Sequence, residues 1–347
     1  MMSIRPLYIS PVGRGGVDFG IQNITRAVRR YGAPRAELLR LPEIYNFIPA
    51  LIPRGLPRGW WKGFDIIQGR SRVAFALRAP GRPLVTTVHH LTTDPDLQPY
   101  STLAQRLFYR LVESRYDWWS IRSADAVVCV SRYTQQQVAR TYGYTNTTII
   151  YDGIDTDVFV PPPDLKRRDD GLPDRGGRIR LLFVGNRTRR KGFDLLPGIL
   201  DRLPEAYVLY YTSGFQGIDE GPPHPRMVPI GAPDRDGLVA AYQSCDMLLA
   251  PSRLEGFGIV QAEALACGRP VVTTRISALP EVVDHDQSGF LCPRDDVDAY
   301  AEAVRRLGED EALRRRFGEH GREKVVRNFG LEQLGRGFLE LYDRLLR

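Results

Sequence analysis

An α/β architecture of two parallel-sheet domains is predicted by three features of this chain. Short apolar runs alternate with helical stretches, the pattern of strands covered by helices on both faces. The alternation stops once, over residues 161–178, in a segment rich in proline, glycine and charge, and then restarts. At 347 residues the chain is also too long for one core of ordinary size.

The first domain is expected over residues 1–160. Residues 7–9, 65–67, 84–88, 126–130 and 148–150 have the length and apolar content of strands. Between them, 18–31, 100–122 and 133–142 space their apolar residues as helices do. Residues 161–178 show no periodicity and many turn formers, so they read as a linker. The second domain is expected over 179–330, with strands at 179–185, 206–211, 227–230, 247–250 and 271–274. Helices are predicted near 193–203, 235–243, 257–267, 297–308 and 310–327, and an amphipathic stretch at 331–346 ends the chain.

Composition narrows the class. Hydrophobic residues make up 43% and charged residues 26%, ordinary values for a soluble globular protein. Cys129, Cys245, Cys267 and Cys292 lie far apart in apolar segments and form no CxxC pair, so neither a zinc site nor a disulfide framework is expected. Buried thiols in a reducing cytoplasm are the economical reading. The amino terminus lacks the apolar core of a signal peptide, and no run of about 18 apolar residues is present to span a bilayer. A cytoplasmic chain is therefore expected. The net charge of +7 is uneven: residues 1–160 hold 20 Lys/Arg against 12 Asp/Glu, and the remainder 28 against 29. A basic first half points to an anionic partner, either lipid headgroups or nucleic acid. No module interleaving basic and stacking residues is found, so nucleic acid is set aside.

The most informative stretch runs from Pro251 to Gly268 and contains Glu255-Gly256-Phe257-Gly258-Ile259-Val260 and Glu263. It reads as a strand end, a glycine turn and a helix. Gly256 and Gly258 leave the amides of the turn uncrowded at the helix mouth. Unpaired N–H groups and the positive end of the helix dipole favour a phosphate there. Glu255 precedes the helix and Glu263 is placed about two turns inside it, so each carboxylate reaches a different polyol. A diphosphate with a hydroxyl-rich group on each side is a nucleotide sugar. The bland reading is two incidental acids, but burying carboxylates in an apolar helix start is costly without partners.

A second candidate phosphate loop, Gly185-Asn186-Arg187-Thr-Arg-Arg190-Lys191-Gly192, follows a predicted strand and precedes a helix. Together these segments resemble the family 4 glycosyltransferases. Glu255 to Glu263 resembles the E-x7-E signature, and Phe183 to Gly192 resembles the family's phosphate loop. Pro280-Glu281 and Ser288-Gly289-Phe290-Leu291 resemble its next two blocks. Residues 123–131 and 152–159 resemble the end of its first domain. The likeness covers most of residues 80–300 and is looser before that.

The resemblance implies a GT-B fold, two Rossmann-like parallel-sheet domains facing across a donor-binding cleft, with 331–347 crossing back to the N-terminal domain. It implies a retaining transfer of a hexose from a UDP- or GDP-sugar to a hydroxyl, by same-face attack with the leaving phosphate as base. In that scheme His89, Lys191 and Glu255 are catalytic. Glu263 binds the ribose hydroxyls, Glu255 the C3/C4 region of the sugar, and Lys191 with a neighbouring arginine the diphosphate. The amides of Gly256 to Val260 hold phosphate and sugar. The family places arginine directly after the loop glycine, where Asn186 stands here, so the charge falls to Arg187, Arg189 or Arg190. A family histidine at a strand end matches His89, and a Gly-Gly loop closing over the donor matches Gly15-Gly16.

No metal or other cofactor is expected. The three Asp-x-Asp triplets, at 94–96, 155–157 and 234–236, sit among turn formers, where capping or solvation suits them. Lysine and helix-dipole charge replace a cation at the leaving group. The acceptor is expected to be lipid-linked and bound by the basic first domain. Arg54, Arg58, Trp60, Trp61 and Lys62 combine tryptophan and cations as an interfacial membrane anchor does. Helix 103–122, ending in Trp118-Trp119, is a second candidate. Packing into the core is the competing reading for both. Two functional alternatives stay open: a catalytically silent glycan-binding module, or a same-fold epimerase or phosphorylase, the latter requiring a pyridoxal-phosphate lysine.

Overall fold

The computed structural model describes residues 4–12, 16–163, 171–173, 178–214 and 223–347. Its strands are β1 (Pro6–Pro11), β2 (Glu37–Leu41), β3 (Ile66–Arg70), β4 (Leu84–Val88), β5 (Ala126–Cys129), β6 (Thr147–Ile149), β7 (Ile179–Phe183), β8 (Tyr207–Tyr211), β9 (Met227–Pro229), β10 (Met247–Ala250), β11 (Val271–Thr274) and β12 (Gly289–Cys292). The helices are α1 (Gly16–Tyr31), α2 (Ile52–Gly55), α3 (Leu103–Phe108), α4 (Ser114–Ser123), α5 (Arg132–Tyr142), α6 (Leu196–Asp201), α7 (Arg235–Ser244), α8 (Ile259–Ala266), α9 (Leu279–Val282), α10 (Val297–Glu309), α11 (Glu311–Asn328) and α12 (Leu331–Leu346).

The first unit comprises Met1–Gly153 with Leu331–Arg347. Its sheet is all-parallel in the order β2-β1-β3-β4-β5-β6. Most of its strands are buried on both faces, which is why they read as continuous apolar runs. Alternate residues serve opposite faces. Tyr8, Ile66, Val85 and Val128 meet Ile21, Ile24 and Val28 of α1 and Leu334, Phe338 and Leu341 of α12. Leu7, Ile9 and Ile67 instead meet Ile52, Val73 and Leu77. The second unit, Ile154–Gly330, holds the sheet β12-β11-β10-β7-β8-β9, also all-parallel. Leu181, Leu209, Leu249 and Val272 pack there against Ile199 of α6, Tyr300 and Val304 of α10, and Phe317 of α11.

Several boundaries differ from the sequence reading. The first unit ends at Gly153 rather than at residue 160. Ile154 bridges to Gly330, Asp155 pairs with Arg235, and Phe159 meets Tyr242 edge-on, which ties this strip to the second unit. Much of the expected linker lies outside the described residues, but Gly171–Pro173 within it are packed. The Gly171 N–H donates to Ser244 Oγ, the Tyr210 hydroxyl donates to the Pro173 carbonyl, and Leu172 is buried.

Two strands were not foreseen. β2 is an edge strand carrying Glu37 and Arg40, and β12 is four residues beginning with glycine. The helix expected over 100–122 is α3 and α4 joined by a π turn, Tyr109–Glu113. α8 begins at Ile259, because Gly258 before it has a φ of +113°. Glu263 therefore stands about one turn inside the helix, not two.

Candidate active site

The loop between β7 and α6 is fastened by a glycine and an arginine. Gly192 has a φ of +72°, and a Cβ there would stand 2.0 Å from the Pro251 carbonyl oxygen, so only glycine lets the loop lie on the end of β10. Arg253, just past that strand, is buried. Its guanidinium donates to both oxygens of Asp194 at 2.6 and 3.0 Å, to Asp295 at 2.5 Å and to the Arg189 carbonyl. Its backbone N–H donates to the Arg190 carbonyl at 2.8 Å.

This fastening sets Lys191 against Glu255. Lys191 Nζ donates to Glu255 Oε1 at 2.6 Å, and both side chains are largely buried. Arg190 donates to the Leu254 carbonyl at 2.9 Å and stands 3.9 Å from Glu255. Burial draws the Lys191 ammonium below its ordinary value, against the pull of Glu255. Burial pushes Glu255 up, but Lys191 and Arg190 outweigh it and hold the carboxyl below the usual range. Among the arginines considered for this loop, Arg190 is therefore the one at the carboxylate. Asn186 packs against Gly214, and Arg187 is half-buried and outside the pair.

Directly after Glu255 the chain turns into α8. Among the described residues no side chain caps the start of this helix, and Ile259 and Val260 in its first turn are half-buried. Phe257 turns its ring into the core against Phe329, at 5.2 Å. Glu263 is buried and accepts a hydrogen bond from the Tyr242 hydroxyl at 3.0 Å. Burial pushes its carboxyl up to about 7, against Tyr242 and Arg235. Tyr242 and Arg253 were not singled out from the sequence. Tyr242 stands 21 residues before its partner, a distance at which no local pattern signals a contact.

In the first unit, His89 follows β4 and is buried. Its Nδ1 lies 3.5 Å from Asp152, a partner that sequence reasoning also missed. Among the described residues, its Nε2 and one Asp152 oxygen are buried with no hydrogen-bond partner. Gly20 of α1 lies alongside: a Cβ there would meet His89 at 3.1 Å and Asp152 at 3.0 Å. Gly16 is the first residue of α1, and Gly15 lies outside the described residues.

The tryptophans of the candidate membrane loop are partly packed. Trp60 and Trp61 are half-buried against the cluster of Leu7, Ile9 and Leu41, because their rings complete that core, while Arg54, Arg58 and Lys62 are exposed around them. Bare apolar surface lies along α3, the π turn and α4. Leu103 is 81% exposed, Leu107 56%, Leu111 45%, Trp118 43% and Trp119 44%. The aspartate triplets have local roles. Asp94 accepts from the Asp96 N–H and the Tyr133 hydroxyl, Asp155 pairs with Arg235, and Asp234 caps α7.

The family described as Glycosyltransferase Family 4 matches residues 7–158, and Glycosyl transferases group 1 matches residues 228–324. The chain belongs to glycosyltransferase family 4. The lipopolysaccharide core biosynthesis mannosyltransferase LpsB of Rhizobium meliloti (strain 1021) is 28% identical to it over 325 residues, 86% of this chain and 89% of LpsB. The structure of sucrose-phosphate synthase from Thermosynechococcus elongatus superposes on it with a TM-score of 0.83 at 22% identity, covering 99% of each chain. Anabaena HepE, solved in complex with UDP and glucose, matches at a TM-score of 0.76 and 17% identity, covering 98% of this chain and 99% of HepE. The family 4 chain has the GT-B fold and is a glycosyltransferase.

Proposed function

We propose that this glycosyltransferase is a retaining hexosyltransferase, independent of metal. It takes a UDP- or GDP-sugar as donor and a lipid-linked hydroxyl as acceptor, in polysaccharide or glycolipid biosynthesis. One observation carries the donor assignment: the Lys191–Glu255 pair stands directly before the uncapped start of α8, with Glu263 one turn inside. The Lys191 ammonium has three protons and spends one on Glu255, which leaves two for phosphate oxygens. Amides at the helix start add donors and the positive dipole end. Glu255 takes sugar hydroxyls and Glu263 the ribose. As the glycosidic bond breaks, charge grows on the leaving diphosphate, where Lys191 and Arg190 stabilise it. That phosphate takes the acceptor proton, so attack comes from the departing face and configuration is kept. The complex of HepE with UDP and glucose, on the same fold, supports this reading.

The lipid-linked acceptor is supported by the name of LpsB and by the bare stripe of the first unit. Leu103, Leu107, Leu111, Trp118 and Trp119 stay exposed across the π turn, with exposed Arg106, Arg110, Arg115 and Arg122 among them. Tryptophan and arginine together suit an anionic membrane surface.

The test is hydrolysis of a panel of UDP- and GDP-hexoses by EDTA-treated protein, with the released anomer followed by NMR. Turnover with retention is expected. An inverted product, or activity that returns only with Mn²⁺, overturns the mechanism, and no turnover with any donor overturns the donor reading. In parallel, wild-type protein is expected to float with phosphatidylglycerol vesicles at low salt, and Leu107→Asp combined with Trp118→Ser to sink. Equal flotation of both removes the membrane role of the stripe.

A further inference from the structure

At the carboxyl end of the first sheet, two arginines stand astride β1. Arg40 of β2 is level with Ser10, and Arg70 ends β3 one step past the Ile9–Gly69 pair. Two strand spacings separate their backbones, about 10 Å. Parallel sheets hold ligands at this end. Arg72 follows two residues later and is half-buried.

The three guanidinium groups are matched unequally. Arg40 pairs with Asp18 at 2.5 Å and Arg72 with Glu113 at 2.6 Å. Among the described residues Arg70 forms no ion pair: it donates to the neutral amide oxygen of Asn46. Asp117, a buried acid nearby, hydrogen-bonds Ser71. Among the described residues, Arg70 Nε and Arg40 Nη1 are buried donors without a partner. An arginine acting only as structural glue is expected to have these donors filled, since an unmet buried donor is costly. Burial, with Arg72 nearby, draws the Arg70 guanidinium down to about 10, against the pull of Tyr8, Asp18 and Glu113.

We propose that Arg70, with Arg40 and Arg72, binds an oxyanion of the acceptor, a phosphate or a carboxylate. Planar guanidinium forks suit such groups because they grip two oxygens at once. Naming the acceptor as the carrier rests on the transferase reading above, but the anion site does not. Nothing in the Lys191–Glu255 pair depends on it.

Calorimetric titration of the full chain with inorganic phosphate tests both separately. Lys191→Ala is expected to keep a phosphate site that the double variant Lys191→Ala, Arg70→Gln weakens at least about tenfold. Malonate competing for that site assigns it to carboxylates as well, and failure to compete assigns it to phosphate. Phosphate binding that is unchanged between those two chains overturns the proposal, as does a Lys191→Ala chain with no phosphate affinity left. If Arg70→Gln weakens phosphate binding while Lys191→Ala binds like wild type, the anion site stands and the donor reading falls. Arg72→Gln, at a more accessible side chain, guards against misfolding of the Arg70 variant. It is expected to weaken phosphate in the same direction, and wild-type binding by a folded Arg72→Gln chain counts against the site.

Discussion

Glu263 sits between two demands, stability and recognition. Burial raises its carboxyl from 4.5 to about 7. The folded value exceeds the unfolded one, so between them the folded chain holds more protons and stability falls as pH rises through that window. At 1.36 kcal/mol per unit, the loss is about 3 kcal/mol once the group is ionised. Glu263→Gln is therefore expected to melt higher than wild type near about pH 8 and at nearly the same temperature near about pH 5, by scanning calorimetry without ligand. Donor binding should show the opposite trend. Wild-type affinity is expected to tighten as pH rises through the same window, and Glu263→Gln to lose that slope together with about 1.5–3 kcal/mol of binding. A donor affinity independent of pH removes the ribose role. At Lys191 the expectation is kinetic. Lys191→Ala should lower turnover by about 10²–10³, more than it raises donor KM, because the charge it meets grows in the transition state. Turnover within about threefold of wild type in steady-state kinetics speaks against that role.

Among the elements, the loop carrying Lys191 owes its position to Arg253, which binds Asp194, Asp295 and the Arg189 carbonyl at once. Arg253→Lys keeps the charge but loses the fork. It is expected to lower kcat several-fold with a smaller change in melting temperature, because Lys191 is then loosely aimed. Unchanged kinetics in a folded Arg253→Lys chain excludes the clamp. Element boundaries were legible only where local chemistry sets them. The glycines around 256–258 marked a turn, yet the left-handed Gly258 moved the start of α8 and shifted Glu263 by a turn. β2 escaped notice because an edge strand is half-exposed and carries charge. The π turn of Tyr109–Glu113 has no periodic signature of its own.

For the whole molecule, the last helix closes the first unit. Phe338 of α12 is buried among Tyr8, Ile24, Val28 and Val85, and a Cβ on Gly335 would stand 2.8 Å from the Ala27 carbonyl oxygen of α1. Phe338→Ala is expected to destabilise the first unit by about 3–5 kcal/mol, measured by urea unfolding. A cost below about 1 kcal/mol means α12 does not complete that core.

The sequence by itself determined two parallel sheets and the glycine-lined loops at their strand ends, and it singled out Lys191, Glu255 and Glu263 as candidates. Each rests on local rules: apolar run length, glycine at tight turns, cations on a loop. Only the tertiary structure decided that Lys191 and Glu255 are partners, that Tyr242 and Asp152 face Glu263 and His89, and that Arg70 forms no ion pair among the described residues. It also decided that Trp60 and Trp61 complete a core while Leu103 and Trp118 lie bare. Such pairings join residues tens of positions apart. Which apolar side chain is covered depends on what packs above it, and a single chain's pattern carries that only once it has folded.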